Sequence, residues 1–512
     1  MQDADIIVIG SGIGGLTAAG LLARYGRRVI VCESHSEAGG AAHEFRRGDY
    51  RFDSGPSFYC GLGDPQSVNP LRLVLEVLGE PLETIPYDPL GYYHFPEGTL
   101  PIYGNLDAYQ AAIATFSAAG AREFRALADK FLPLYRALKQ MPLLALRSDW
   151  QLFPFLLSRY PWQVAQLLPQ LPLLGSSAGA IMDETVRDPF VRRLFDIECF
   201  LLSGLKAHET VAPEMAFMFG ERDQSRVDYP KGGSGALVAA LVKGLEKWGG
   251  DLRLNTHVEE ILIENGRAVG VRLRGGQSLR APVVISNATL WDTVEHLLKP
   301  EYLPQRYRQQ ALETPAVNSF VHLHLGIRAE GLEDLAVHHV VLNNDDQDIT
   351  APGNTCMISI PSVLDPDLAP PEHHVIHAYT LEPYAGWRRD HTYEQRKRQR
   401  AESLYRALEQ VIPDVRQRVD LELIGTPLTH QRFLRRYQGT YGPAIAAGQG
   451  VFPGAAMPIS GLYRVGDSTR PGIGVPAVAA SGLLCANGLV SPQQVNDLLR
   501  TFDGSRRDKS TA

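Results

Sequence analysis

The start of this chain carries a glycine-rich turn set between an apolar strand and a helix. Residues 5–10 form the strand, Gly10, Gly12 and Gly15 complete the spacing G-x-G-x-x-G, and a helical run follows. A second strand ends at Glu33. The three glycines permit a tight turn, a close approach of a pyrophosphate to the backbone, and close packing of the helix on the strand. This order of elements predicts a βαβ unit that binds a dinucleotide at the helix N-terminus.

Glu33 further defines the nucleotide that we expect at this turn. It lies 18 residues past Gly15, where a carboxylate can accept hydrogen bonds from both ribose hydroxyls. Its negative charge would repel a 2′-phosphate, so the pattern argues against NADP. The same region adds four residues to the predicted cofactor site: Ser11, Ile13, Gly14 and Ser34.

The segment after Glu33 favours FAD over NAD. Gly39, Gly40 and Ala41 come first, and a Phe-Asp-Ser-Gly-Pro turn follows at residues 52–56. A glycine pair lets the backbone pass close to an extended ligand, as a flavin with its ribityl chain requires. The glycine pair and the turn resemble those of the amine oxidase and phytoene desaturase superfamily of FAD enzymes.

A second glycine segment lies near the other end of the chain, where an apolar strand ends at Gly466 and Asp467. Asp467 is predicted to hydrogen-bond the ribityl hydroxyls. A helix of small residues follows, with Gly474, Val475 and Pro476 at its start. Its N-terminus would point at the flavin edge on which negative charge develops on reduction. The two segments together predict one FAD site built from both ends of the chain.

Composition limits the other classes of partner. The 512 residues are 44% hydrophobic and carry a formal net charge of −7, which argues against nucleic acid as a partner. The five cysteines form no C-x-x-C pair, so we expect neither a disulfide framework nor a zinc site, and we assign no metal ligand. The start lacks the basic region of a secretory signal, and prolines interrupt the longest uncharged stretch, residues 160–182. We therefore expect a cytoplasmic protein without a membrane-spanning helix.

The order of patterns predicts an interleaved α/β fold with two discontinuous domains. A Rossmann-type FAD-binding domain is assigned to residues 1–75, 226–314 and 425–500. A substrate domain, mostly helical over residues 76–225 and a mixed sheet over residues 315–424, completes the chain. Residues 501–512 are polar and are predicted to form a disordered tail.

Three segments in the second half of the chain carry a closer resemblance. They run from Ile358 to Pro370, from Gly425 to Leu434 and from Gly439 to Pro443. With the glycine segments, they resemble the carotenoid isomerase (prolycopene isomerase) branch of the phytoene desaturase superfamily, close to the retinol saturases. Residues 468–471, Ser-Thr-Arg-Pro, depart from the isomerase pattern toward that of the desaturases.

This resemblance implies further site residues and a class of reaction. The backbone of Val258 would contact the adenine of FAD, and Asn287 would lie near the cofactor at the end of a strand. The substrate would be a hydrophobic polyene, a carotenoid or a retinoid, and the reaction a cis–trans isomerisation that needs reduced FAD. Carotenoid desaturation and retinol-type saturation are alternatives. An amine oxidase-like FAD oxidase and a non-catalytic carotenoid-binding flavoprotein are two more, and the electron partner stays open.

Few side chains are candidates for catalysis, because a polyene has no ionisable group and the cofactor would carry the chemistry. Two candidates follow the glycine pair and three flank an apolar segment, residues 199–204, that could line a substrate tunnel. In chain order, the five are His43, Glu44, Glu198, His208 and Glu209.

Two histidines, His322 and His324, share one face of a predicted strand, as metal ligands do. No matching pattern of Asp or Glu accompanies them, so we interpret them as a sheet-facing or pocket pair rather than as metal ligands.

A cluster rich in Trp, Phe and Leu occupies residues 141–168 and is bordered by Arg147, Arg159 and Tyr160. Apolar residues with Trp and Arg at their edges suit the headgroup boundary of a bilayer. We therefore expect peripheral contact with a membrane surface, with a buried helical cap over the substrate tunnel as the alternative.

Overall fold

The computed structural model describes residues 2–55 and 57–510, with side chains described up to residue 502. Pro56 of the predicted turn lies outside this part. The strands are β1 (Ile6–Ile9), β2 (Val29–Cys32), β3 (Glu44–Arg47), β4 (Tyr50–Asp53), β5 (Thr84–Pro86), β6 (Gly91–Phe95), β7 (Gly98–Ile102), β8 (Asp228–Pro230), β9 (Asp251–Arg253), β10 (Val258–Glu264), β11 (Arg267–Leu273), β12 (Ser278–Arg280), β13 (Val283–Ser286), β14 (Ser319–Arg328), β15 (His338–Leu342), β16 (Thr355–Ser359), β17 (His373–Glu382), β18 (Val419–Gly425) and β19 (Leu462–Arg464).

The α-helices lie between and after groups of these strands, and the longest run of helices separates β7 from β8. They are α1 (Ile13–Arg24), α2 (Pro70–Leu78), α3 (Leu106–Ala114), α4 (Ala118–Lys139), α5 (Leu152–Arg159), α6 (Pro161–Leu167), α7 (Leu171–Leu174), α8 (Ala178–Thr185), α9 (Pro189–Ser203), α10 (Ala212–Gln224), α11 (Gly233–Lys247), α12 (Leu290–Glu295), α13 (Gln305–Glu313), α14 (Tyr393–Val411), α15 (Val415–Arg418), α16 (Pro427–Leu434), α17 (Val475–Gly488) and α18 (Pro492–Ser510).

A five-stranded parallel sheet carries the glycine turn. Its strand order is β19-β13-β1-β2-β9, and every neighbouring pair is parallel. All residues of β1 and β2 are buried, as expected for strands covered on both faces, which explains their continuous apolar sequence. The strands come from the start, the middle and the end of the chain. This confirms the predicted interleaved α/β fold with a Rossmann-type domain.

A seven-stranded mixed sheet, in the order β18-β14-β17-β16-β15-β6-β7, forms the second layer. Its long central pair, β14 and β17, is antiparallel and places His324 opposite His377. Helix α14 is polar along one side and packs Leu404, Tyr405 and Leu408 against this sheet. The hairpin β6–β7 joins the sheet through β15, although its residues lie in the region predicted to be mostly helical.

The helices between β7 and β8 form a separate core around aromatic side chains. Phe131 and Phe195 each pack on Phe219, with ring centroids 5.8 and 6.1 Å apart. In the described residues, no helix combines the length and the apolar character needed to cross a bilayer.

The last helix differs from the sequence prediction. Helix α18 continues to Ser510, whereas residues 501–512 were expected to be a disordered tail. Residues 501–510 contain no proline, and the part of the helix before them packs against the core through side chains such as Leu498 and Leu499. Residues 511 and 512 lie outside the described part of the chain.

Candidate functional site

Two adjoining cavities meet at the glycine turn, and one of them is lined by both ends of the chain. We call them the inner cavity, about 260 Å³, which reaches Gly466 and Leu381, and the outer cleft, about 610 Å³, which reaches Glu33 and Val258. Four residues line both of them: Gly12, Ala41, Asn287 and Arg436. The two cavities therefore meet at the predicted glycine turn.

The glycine turn makes the close backbone contacts that its spacing implies. Gly10 has a φ of +92°, which favours glycine. A Cβ atom on Gly12 would lie 2.6 Å from Nδ2 of Asn287, and one on Gly15 would lie 2.3 Å from the carbonyl oxygen of Gly10. The absence of side chains at these positions keeps the start of α1 open to the cavities.

The carboxylate of Glu33 is buried and faces the outer cleft. Its Oε2 accepts hydrogen bonds from the backbone N–H and the Oγ of Ser11, at 2.8 and 2.7 Å. Its Oε1 accepts one from the backbone N–H of His35 at 2.8 Å. These bonds hold the acid beside the glycine turn, where it can reach a ribose in the outer cleft.

The two ends of the chain pack directly against each other. A Cβ atom on Gly14 would lie 2.9 Å from the backbone nitrogen of Gly466, and one on Gly482 would lie 2.5 Å from the carbonyl oxygen of Gly14. Glycines at these positions therefore let α17 pack closely on α1.

Helices α1 and α17 both begin at the inner cavity, and neither has a side chain that caps its N-terminus. Their N-cap residues are Gly12 and Gly474, and neither helix has a side-chain cap hydrogen bond. Unsatisfied N–H groups and the positive end of the helix dipole attract negative charge. The two helix starts are thus suited to a pyrophosphate and to an anionic flavin edge.

Arg436 is a site residue that the sequence analysis missed. Its guanidinium donates to Oδ2 of Asp467, the residue predicted to bind ribityl hydroxyls, and both side chains line the inner cavity. Burial opposes the charged form of Arg436, but Asp467 outweighs this effect and raises the pKa of Arg436. A permanent cation between the two cavities adds to the attraction for phosphate.

The remaining predicted cofactor residues lie around the same cavities. Ile13, Gly14, Gly39, Gly466, Gly474 and Val475 line the inner cavity, and Ser34, Gly40 and Val258 line the outer cleft. Pro476 lies in the first turn of α17. This set of residues fits an extended dinucleotide. The outer cleft offers a buried acid, and the two helix starts and an arginine lie where the cavities meet. Apolar side chains line the space beyond them.

The two catalytic candidates near the glycine pair have partners within the protein. His43 is hydrogen-bonded through Nδ1 to the carbonyl oxygen of Gly40 and to Oγ of Ser54, at 2.8 and 2.9 Å. Burial lowers the pKa of His43. Glu44 accepts hydrogen bonds from Arg51, the closest at 2.8 Å. His43 lines the outer cleft, whereas Glu44 does not reach either cavity within the described lining.

The three candidates that flank residues 199–204 are displaced from the inner cavity. Phe200–Gly204 line it as expected, but Glu198 forms a buried ion pair with Arg222 at 2.7 Å and accepts a hydrogen bond from Tyr109. His208 bonds Asp183 at the surface, and Glu209 is exposed. The segment thus lines the cavity while its flanking candidates do not, because Glu198 on α9 faces the helical core.

His322 and His324 have neighbours that the sequence did not reveal. His377 of β17 and His430 of α16 lie beside them, and these four residues form what we call the imidazole cluster. All four are buried. Burial lowers the pKa of His324 to about 4 and that of His430 to about 3, and it holds the pKa values of His322 and His377 well below the usual value. The imidazoles are therefore neutral at pH 7.

Comparisons with known proteins agree with this geometry. The family described as flavin containing amine oxidoreductase matches residues 13–490. The chloroplastic prolycopene isomerase 1 of an Oncidium hybrid cultivar is 35% identical, over 95% of this chain and 84% of that protein. A neurosporene-forming phytoene desaturase of Cereibacter sphaeroides is 27% identical, over 95% and 94%. An oxidoreductase from Methanosarcina mazei has the same fold, with a TM-score of 0.61 at 20% identity over 93% of this chain and 98% of that one. The chain therefore belongs to the flavin-containing amine oxidoreductase family, in its carotenoid isomerase branch, and its cofactor is FAD.

Proposed function

We propose that this protein isomerises double bonds of a carotenoid from cis to trans with reduced FAD as its cofactor. The observation that carries the proposal is the chemistry of the inner cavity. Asp467 is the one carboxylate among the described residues that line it, and Arg436 neutralises that carboxylate. No unpaired acid in this lining is offered to an ammonium group, which argues against an amine as substrate. The 35% identity to a prolycopene isomerase points the same way.

The side of the cavity away from the glycine turn suits a polyene. Phe320, Tyr379 and Tyr441 form an aromatic surface in which Phe320 meets Tyr441 edge-to-face at 4.6 Å and Tyr379 at 5.5 Å between ring centroids. Leu202 and Met357 line the same cavity. Such side chains exclude water and offer apolar contact to a conjugated chain.

The protein's own groups orient the reactants rather than react with them. Reduced FAD, when bound, supplies the electron density or proton whose reversible transfer lowers the order of a double bond. The N-terminus of α17 would stabilise negative charge beside the polyene, and Arg436 would hold the phosphates. Because rotation about the weakened bond needs no net hydrogen transfer, the lining needs no catalytic acid or base of its own.

A product analysis separates this proposal from its alternatives. The protein is incubated without oxygen with poly-cis lycopene, phytoene, retinol or an amine, each with oxidised and with reduced FAD, and the products are resolved by chromatography. We expect all-trans product from poly-cis lycopene with reduced FAD only and without a change in hydrogen count. Dehydrogenated phytoene would instead support a desaturase, saturated retinol a saturase, and reduction of FAD by the amine an oxidase. Polyene bound without any product would support a carrier.

Leu202→Trp tests whether the inner cavity holds the polyene. The larger side chain is expected to lower kcat/KM by about tenfold or more, because overfilling a packed site costs about 1–3 kcal/mol. Leu254→Trp is the matched control, because Leu254 is exposed and lies outside the inner cavity. Equal loss in both variants, or no loss in Leu202→Trp, would contradict this placement of the substrate.

We further propose that α5, α6 and the segment just before them contact a membrane surface. Large apolar side chains here are exposed: Trp150 by 75%, Phe153 by 71%, Leu157 by 61% and Trp162 by 80%. Their exposure favours membrane contact over a buried cap. Arg147 is not a border residue as expected, because it is buried against Asp149 at 2.8 Å.

Flotation with liposomes tests the membrane contact. The wild-type protein is expected to float with the liposomes, and the double variant Trp150→Ser/Trp162→Ser is expected to stay in the dense fraction. Val451→Ser is the control, since Val451 is 74% exposed on a different loop. Failure of the wild type to float, while it isomerises polyene in detergent-free buffer, would remove this proposal.

A further inference from the structure

The imidazole cluster brings four buried histidines together from three elements. His322 and His324 come from β14, His377 from the neighbouring strand β17 and His430 from α16. One ring nitrogen of each of His322, His324 and His377 lies within 4.8 Å of the others. The ring centroid of His430 lies 4.4 Å from that of His322.

Several nitrogens of this cluster have no hydrogen-bond partner among the described residues. They are Nε2 of His322, Nδ1 of His377 and Nε2 of His430. Buried polar atoms are nearly always paired, so three unpaired nitrogens show that the protein atoms alone do not satisfy this cluster. Nδ1 of His322 and Nε2 of His377, which face each other, are the nitrogens that an ion between these rings would bind.

We propose that His322, His324 and His377 form a binding site for a divalent transition-metal ion of the zinc type, with His430 as an additional ligand. Imidazole nitrogen is a preferred ligand of zinc and of its neighbours in the first transition series, whereas magnesium and calcium require oxygen ligands. Three imidazoles are a known set for a zinc ion, and a fourth would close the tetrahedron.

His324 has a hydrogen-bond partner for the ring nitrogen that would not bind the ion, as histidine ligands of metals usually do. Nε2 of His324 lies 3.3 Å from the backbone carbonyl oxygen of Asp53, to which a ring N–H can donate. Histidine ligands commonly donate their other ring N–H to a carbonyl or carboxylate, which fixes the nitrogen that faces the metal. The carbonyl of Asp53 would leave Nδ1 of His324 free to bind the ion.

One contact must open when the ion binds. Nδ1 of His322 and Nε2 of His377 lie 2.6 Å apart, as a hydrogen-bonded pair. Ligand atoms about 2.0–2.1 Å from a tetrahedral zinc ion are farther apart than this, roughly 3.3 Å. The side chains of His322 and His377 would have to rotate apart to provide the difference.

An ion bound by the imidazole cluster would link α16 to the seven-stranded sheet. His322 lines the inner cavity, and His322, His324 and His430 line a basin of about 1450 Å³ on the other side. An ion there would tie α16 to the sheet in the layer that separates the two spaces. This inference does not depend on which polyene reaction the protein catalyses.

Metal binding is tested on tag-free, FAD-loaded protein that has been treated with a chelator and then dialysed against Zn²⁺ or Co²⁺. We expect one ion per chain by elemental analysis, and Co²⁺ is expected to show the visible absorption of imidazole ligation. His324→Gln and His377→Asn should each weaken binding by at least about tenfold, the loss that even an outer-layer change can cause. His430→Gln should weaken it less.

His373→Gln is the matched control, because His373 begins the same strand but bonds Asp420 at the surface. It should bind the ion as the wild type does. Retained flavin absorbance and an unchanged melting temperature show that each variant is folded. Wild-type protein that binds no ion, shows only the spectrum of aqueous Co²⁺, or loses as much binding in His373→Gln would overturn the proposal. Should the cluster variants fail to fold, the wild-type Co²⁺ spectrum decides alone.

Discussion

The cofactor cavities and the layer that faces the substrate are built in opposite ways. The cofactor cavities depend on backbone: glycines that lack a Cβ, and two helix starts without capping side chains. The substrate side depends on side chains, such as the aromatic surface and the imidazole cluster, brought together from strands far apart in the chain. A backbone site follows from short-range sequence spacing, whereas a side-chain site exists only once the register of the sheet is set.

The largest effect is expected in the helical core that supports the substrate side. Glu198→Ala leaves the buried Arg222 without its partner and removes the acceptor for Tyr109. Breaking a buried ion pair in this way costs about 3–5 kcal/mol. Chemical denaturation should show this loss, while Glu209→Ala, on the surface, should change the free energy of unfolding by less than about 0.5 kcal/mol. Unchanged stability with lost turnover would instead give Glu198 a role in the reaction.

The next largest effect is expected at the glycine turn, where the cofactor cavities depend on backbone packing. In Gly15→Ala, the new Cβ would lie 2.3 Å from the carbonyl oxygen of Gly10, and backbone cannot rotate away as a side chain can. We expect a loss of about 1–3 kcal/mol in stability and weaker retention of FAD, followed by flavin absorbance after gel filtration. Gly175→Ala is the control, because its Cβ would meet open space. If both variants retained FAD equally, close helix–strand packing would not be essential to the site.

The parts of the site that depend on local sequence could be predicted, and those that depend on the fold could not. Glu33, the glycine pair and the start of α17 were predictable because each depends on neighbours a few residues away. Arg436 was missed because no motif marks it, and its role appears only when it meets Asp467 across the fold. The sequence could suggest His322 and His324 as a pair, but not their meeting with His377, which requires the pairing of β14 with β17.

Helix faces explain why a catalytic candidate next to a lining segment lies outside the inner cavity. The sequence places Glu198 within a few residues of Phe200–Gly204, which line the inner cavity, but it does not fix which face of α9 meets that cavity. The structure turns Glu198 toward Arg222. Sequence proximity to a lining segment is therefore weak evidence for a helical residue, because successive residues point about 100° apart.

Arg436→Gln tests a charged side chain that lines both of the backbone-built cavities. The variant removes the cation that lines both the inner cavity and the outer cleft, so phosphate contacts lose a charge-assisted donor. We expect FAD to bind about tenfold more weakly, which corresponds to about 1.4 kcal/mol, and less dependence of binding on salt. Titration of apoprotein with FAD measures both. Arg432→Gln, exposed on α16, should leave the affinity unchanged; an equal loss there would show that only general charge matters.

The smallest effect is expected at Tyr441, on the substrate side. Its buried hydroxyl has no hydrogen-bond partner among the described residues, although it lines the inner cavity. Removing an unpaired buried hydroxyl should leave the apoprotein as stable as before or slightly more stable, so Tyr441→Phe should not lower the melting temperature without FAD. If the hydroxyl binds FAD or polyene, the loaded variant should show a three- to tenfold higher Kd or KM, roughly 0.7–1.4 kcal/mol.

Tyr393→Phe provides the reverse case, because its hydroxyl bonds Thr426 at 3.0 Å outside both cavities. It should lose about 1 kcal/mol of stability and no affinity. An effect of Tyr441→Phe on the apoprotein alone would make that hydroxyl structural and would narrow the difference between the two halves of the site.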